Sequence, residues 1–182
     1  MSHNGDAYRK LAVFVVLTKE ALLRYTLAME IYNITNIKDF TNKLFVGEIF
    51  DKFLCVDASF ITHCSFTIDG RKPAPSQDED EFETWEYIRP YAFSIIKGKE
   101  LPKSFKIVLK LSRANALSTL NSFDEAADPE AGFFINIRYD ADGIHIITGT
   151  STASFDLGRT IDKGWDELVT KFLNKSEIAY EN

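Results

Sequence analysis

The stretch Leu54-Cys55-Val56-Asp57-Ala58-Ser59-Phe60-Ile61-Thr62-His63-Cys64-Ser65-Phe66-Thr67-Ile68 decides the fold class. Leu54, Val56, Ala58, Phe60, Thr62, Cys64, Phe66 and Ile68 mark one side of it. Cys55, Asp57, Ser59, His63, Ser65 and Thr67, continued by Asp69, mark the other. Strict alternation is the signature of a half-buried strand, because successive side chains of extended backbone point to opposite faces. An antiparallel sheet, apolar on one side and polar on the other, is therefore expected at the centre of the fold, with the polar side the first place to look for chemistry.

Working outward, Met29 to Ile34 reads as a strand, and residues 1–28 before it read as an N-terminal arm or extension ahead of a single domain at 29–182, an ordinary docked N-terminal helix being the alternative. Asn36 with Asp39 marks a helix start, Ile37, Phe40, Leu44 and Phe45 recur at helical spacing, and Gly47 ends the run. After the turn at Asp69-Gly70, residues Arg71 to Glu83 form an acidic, proline-containing loop. Asp80 and Glu83 have the spacing of a capping box for a helix with Trp85, Ile88, Ala92, Ile95 and Ile96 inward, Pro90 as a kink or restart, and Gly98 as the stop. Phe105 to Leu111 alternates with Lys106 and Lys110 as a strand; Ala114 to Leu120 suggests a short helix, followed by a second acidic loop, Ser122 to Gly132. Asp140 to Gly143 joins the strands Phe133–Tyr139 and Ile144–Thr148 as a hairpin, and Ala153–Leu157 would extend the meander. The last helix carries Ile161, Trp165, Leu168, Val169, Phe172 and Leu173 on one stripe. The sum is an α+β domain: a mainly antiparallel sheet of about six strands with the Trp85 and Trp165 helices packed on one face.

Composition narrows the function classes. With 182 residues, 45% hydrophobic and 26% charged, the chain has enough core to fold as one domain without disulfide or metal. Cys55 and Cys64 read as free thiols of a cytoplasmic protein, and the apolar run Leu11–Leu17 is far shorter than the roughly 20 residues that a membrane-spanning helix needs. No membrane association or secretion is expected.

Several segments together resemble an uncharacterised family of small cytosolic proteins from Lachnospiraceae-type Firmicutes. They are Phe66-Thr67-Ile68-Asp69-Gly70-Arg71, Trp85 to Pro90, Ile96-Lys97-Gly98-Lys99 with Pro102 and Phe105-Lys106, Asn136 to Asp140, and Thr148-Gly149-Thr150. The resemblance runs from about Met29 to Leu173. It implies a bacterial protein carrying a domain of unknown function and transfers no catalytic residue.

Charge layout is the main functional hint. Residues 89–113 hold seven basic side chains against one acid, a net of +6 that leaves −12 to the rest of a chain whose total is −6. Lys106 and Lys110 share a strand face, and Lys97 and Lys99 flank the glycine that ends a helix, where cations are favoured by the helix dipole. The expected ligand-binding residues are Asp69, Arg71, Arg89, Lys97, Lys99, Lys106 and Lys110, forming an anion-binding basic face; the competing reading is a solvated lysine surface.

The leading expectation is a non-catalytic binding or accessory protein with an anionic ligand or a protein partner. One alternative is an enzyme whose site is assembled from the polar sheet face, with Asp69, Arg71 and His63 as candidates; another is a weak nucleic-acid binder, disfavoured by a sequence pI near 5.1. No cofactor is expected. No metal is expected either, since Cys55, His63, Cys64 and His145 lack the close paired spacing of a zinc site.

Overall fold

The computed structural model describes residues 30–73, 80–123, 131–151 and 158–182. Among them the chain forms β1 (Ile31–Ile34), α1 (Ile37–Phe45), β2 (Leu54–Ile61), β3 (Ser65–Asp69), α2 (Trp85–Ile96), β4 (Ser104–Lys110), α3 (Arg113–Ser122), β5 (Gly132–Asp140), β6 (Gly143–Ser151), α4 (Gly158–Lys175) and β7 (Tyr180–Glu181). The strands make one sheet in the order β3-β2-β4-β5-β6-β1-β7, with every neighbouring pair antiparallel. The architecture is α+β, with seven strands instead of about six. The expected arm at 1–28 and the expected strand at 153–157 lie outside the described residues; the place beside β6 is taken by β1, whose Tyr32 stands opposite Ile146.

The alternating stretch is a hairpin. Thr62, His63 and Cys64 make its turn, after which Phe66 comes to lie opposite Phe60. The alternation also changes phase inside β2. The register between β2 and β4 shifts between Cys55 and Asp57, which makes Val56 the extra residue of a bulge. Cys55, expected on the polar side, therefore faces the core opposite Leu109 and is fully buried, while Cys64 is exposed in the turn.

One face of the sheet carries nearly all the apolar side chains, and the helices cover it. Ile107, Ile137 and Ile146 occupy directly opposed positions on β4, β5 and β6, each fully buried. Phe45 of α1 meets the rings of Phe60, Trp85 and Phe105 at centroid distances of 5.5 to 6.4 Å. Trp165 of α4 packs against Phe133 at 5.2 Å, and its indole N–H donates to Phe134 O at 3.0 Å. The indole of Trp85 is likewise satisfied, donating to Leu44 O at 2.9 Å. Both tryptophans thus bury a large apolar body without stranding a donor.

Helix ends follow local chemistry. Asn36 caps α1 by accepting from Asp39 N–H at 3.1 Å. At α2 the expected capping box does not form, because Thr84 takes the cap, accepting from Tyr87 N–H at 3.4 Å. Asp80 instead reaches forward in sequence and accepts from Arg113 N–H at 2.8 Å, at the first turn of α3. Helix α2 continues through Pro90 and stops before Gly98.

Two glycines answer backbone demands. Gly143 has φ of 120°, a conformation that only glycine adopts without strain, and it closes the β5–β6 hairpin. Gly70 is buried where β2 exchanges partners. Its N–H donates to Val56 O at 3.2 Å and its carbonyl accepts from Glu83 N–H at 2.8 Å, while Glu83 O accepts from Cys55 N–H at 2.8 Å. The segment around Glu83 thereby wedges between the outgoing chain and the start of β2.

Candidate functional site: the helix-free face of the sheet

The side of the sheet away from the helices carries the polar half of each alternating strand. One row of directly opposed residues crosses it: Thr67, Ser59, Lys106, Arg138, His145 and Asn33, on β3, β2, β4, β5, β6 and β1. At one interstrand spacing per step the row is about 24 Å long. Its middle is cationic. Lys106 is exposed and has no ion-pair partner among the described residues, and Lys110, four residues on along the same face, lies with its ammonium 5.8 Å from the centre of the Phe134 ring.

Arg138 is joined to Asp140, Nε to Oδ2 at 2.9 Å, with 63% of the arginine side chain still exposed. His145 sits between two acceptors: Nδ1 is 2.8 Å from Asn33 Oδ1 and Nε2 is 3.9 Å from Asp140 Oδ1. The adjacent row holds half-buried Val108, Asn136 and Ile147, ending at exposed Ile31. Acids occupy the margins, with Asp57 and Asp69 opposite one another on β2 and β3 and Glu181 opposite Asn33 on β7. The face is therefore a cationic strip beside an apolar one, bounded by carboxylates.

The residues singled out from sequence are divided by the fold. Lys106 and Lys110 share this face. Lys97 and Lys99 sit at the exposed exit of α2, where Lys97 lies over the Phe93 ring at 5.6 Å. Arg89 is turned inward: Nε and a terminal nitrogen bond the two carboxylate oxygens of Asp51 at 2.8 and 2.7 Å, and the other nitrogen donates to Val46 O at 3.0 Å. That bidentate pair ties α2 to the segment after α1, and it is mostly out of water, with side-chain exposures of 18% and 11%. Asp69 accepts from Arg71 N–H at 3.0 Å, and Arg71 pairs with Glu81 at 2.7 Å. His63, in the hairpin turn, is six residues from Asp69, about 20 Å along extended backbone, so the three enzyme candidates do not assemble.

Arg138, His145 and Asn33 were not among the residues chosen from sequence. The signal for the first two was present, since Arg138 and His145 occupy polar positions of alternating strands. Missing was the pairing that brings Arg138 beside Lys106 and His145 beside Arg138, which is a property of strand order.

A second polar cluster lies on the helical side. Thr148, buried on β6, donates to Asp166 Oδ1 at 2.5 Å and accepts from Glu30 N–H at 3.0 Å; Thr150 bonds Asp162; and Tyr32 OH donates to Asp166 O at 3.0 Å. Burial pushes the Asp166 carboxyl above the ordinary carboxylate value; the Thr148 hydroxyl opposes this and the nearby charges of Glu30 and Asp162 add to it. Burial also raises the Tyr32 hydroxyl to about 12. Each of these hydroxyls has a partner, so the cluster reads as the tie between β6 and α4. A cleft of about 260 Å³ opens between α3 and α4, with apolar Leu111, Trp165, Leu168 and Phe172 on its walls and Asn115 at its rim. Among the described residues no three His, Cys, Asp or Glu side chains gather in a geometry that would hold a metal ion. Nor is any described helix long and apolar enough to cross a membrane.

Comparison with known proteins yields a family. The chain belongs to the family of unknown function DUF5721, whose profile matches residues 43–181. That span takes in β2 through β7, and with them the Lys106, Arg138 and His145 part of the open face. No curated protein and no solved structure matches.

Proposed function

We propose that this DUF5721 chain is a non-catalytic binding or accessory protein that takes an anionic partner on the helix-free face of its sheet. The observation that carries the reading is the row in which Lys106 stands directly opposite Arg138, with Lys110 on the same face of β4 and, among the described residues, no helix above them. A row of directly opposed residues on a sheet places cationic heads side by side at fixed spacing, which suits a ligand with repeated phosphate or carboxylate groups. The apolar strip of Val108 and Ile147 beside it favours a partner that also brings apolar surface. The family resemblance supports a bacterial, cytosolic setting in Firmicutes. The compact domain is proposed to begin near Met29, since β1 is paired on both sides, with β6 and with β7.

The test is a titration of fluorescent inorganic polyphosphate, single-stranded oligonucleotide and a poly-glutamate peptide against wild type and a Lys106→Glu, Lys110→Glu, Arg138→Glu variant. Three phosphate contacts on a single-stranded chain correspond to a slope of about −2 in log K against log salt. Binding with that salt dependence, lost in the folded variant, is expected for at least one probe. Retention of binding in the variant, or no salt-sensitive binding to any probe, would sink the reading.

A further inference from the structure

Among the described residues, strand β3 is an edge of the sheet, paired with β2 alone. Hydrogen bonds at the two ends of the hairpin show which of its backbone groups are already used. Thr62 N–H donates to Cys64 O at 2.9 Å and Gly70 N–H to Val56 O at 3.2 Å. The bonded pairs between them are therefore Phe60 with Phe66 and Ala58 with Ile68. On the other side of β2, Ile61 O accepts from Lys103 N–H at 2.7 Å, in the alternate phase. The N–H and C=O groups of Ser65, Thr67 and Asp69 consequently point away from the sheet.

Natural edges are usually blunted by proline, lysine or a bulge in the edge strand. Here Ser65-Phe66-Thr67-Ile68-Asp69 has no proline or lysine, and the bulge lies in β2. Four of the five residues are exposed, Phe66 at 38% among them.

The strand is complementary to itself. An antiparallel register with Thr67 opposite Thr67 of a second copy sets Ser65 opposite Asp69 of that copy, so all three outward-pointing residues fall on bonded positions, about six backbone hydrogen bonds in all. On the helix-covered side Phe66 then lies against Ile68 of the second copy in the closely spaced type of pair. On the open side the Ser65 hydroxyl meets the Asp69 carboxylate. A slip of two residues in one direction sends Asp69 against the hairpin turn at His63. In the other direction it sends Ser65 against Arg71, whose N–H already donates to Asp69 Oδ1.

We propose that β3 pairs edge to edge with β3 of a second copy, joining two seven-stranded sheets into one continuous sheet through a two-fold axis at Thr67. A contact one strand long falls in the small-interface class, below about 1,200 Å², so the dimer is weak and concentration-dependent. Each chain carries −6, so added salt relieves repulsion and strengthens the pairing. This is the reverse of the salt effect on anion binding, so the two proposals fail independently.

The experiment measures the mass of the full chain by sedimentation equilibrium over a wide concentration range at low and high salt, with amide hydrogen exchange followed residue by residue. The mass is expected to rise from one chain towards two with concentration and salt, while exchange at the Thr67 and Asp69 amides slows about tenfold. Thr67→Pro removes an N–H that β2 does not use and should return the mass to one chain with the far-UV spectrum unchanged. Should that variant not fold, Phe66→Lys, an exposed edge substitution, is expected to do the same. A mass of one chain under every condition overturns the proposal. So does a dimer in which exchange at Thr67 does not change, or one that persists in the folded edge variant, since either would place the contact elsewhere, the open sheet face included.

Discussion

Replacing Gly70 with alanine tests the account of the β2 junction. A Cβ at this position would lie 2.7 Å from the Cys55 carbonyl carbon, closer still to its oxygen, and 3.4 Å from Val56 O. All three are backbone atoms of a buried strand, so no side-chain rotation relieves the contact. The chain must move by about 1 Å, and that displacement falls on the hydrogen bonds Gly70 to Val56, Glu83 to Gly70 and Cys55 to Glu83. At a net value of about 1 kcal/mol each, the loss approaches 3 kcal/mol. For a chain of this length that corresponds to a fall of about 6–12 °C in the thermal midpoint. The assay is paired thermal and urea unfolding of Gly70→Ala beside Gly98→Ala, whose new Cβ meets only Ile95 O at 3.3 Å on an exposed helix exit. Gly98→Ala is expected to stay within about 1 kcal/mol of wild type, the ordinary range for a glycine change on an exposed site. If Gly70→Ala is equally mild, the junction tolerates a side chain and the close-approach reasoning is wrong.

Two further outcomes follow from the titrating groups. The Asp166 carboxyl is raised in the folded state, so between the unfolded value near 3.8 and the raised value the native protein holds more protons than the unfolded chain, and stability falls as pH rises through that window. Asp166→Asn keeps an acceptor for Thr148 and removes the charge facing Glu30 and Asp162; its thermal midpoint should match wild type below the window and exceed it at neutral pH, and a pH-independent difference would contradict the assignment. The Cys55 thiol is raised to about 12 by burial, with the nearby Asp57 charge adding to it, while Cys64 is exposed. A disulfide-exchange reagent should therefore titrate one thiol at once and the second only on unfolding, with Cys64→Ser removing the fast phase; two fast thiols would show that β2 opens in the native state.

Much of the architecture was legible in the chain because the signals are local. Alternation in Phe105–Leu111 and Phe133–Tyr139, the stripe of Ile161, Trp165 and Val169, and Asp140 to Gly143 each encode a period or a turn within a few residues, and the elements lie where these place them. Where reading failed, a distant backbone intervened. The Val56 bulge, at which β2 falls out of step with β4, reverses which side Cys55 faces, and the Cys55 N–H is taken there by Glu83 O, a group from a distant segment. Asp80 caps α3 and not α2 because Arg113 N–H is the donor brought within reach. The basic run from Arg89 to Arg113 is contiguous in sequence, yet the fold distributes it over a buried ion pair, a helix exit and a sheet face. Where no bulge interrupts it, periodicity decides which side of its own element a residue occupies. Strand order alone decides that Arg138 stands between Lys106 and His145, because pairing is set by hydrogen bonds and core packing between segments, which leave no mark on either segment by itself.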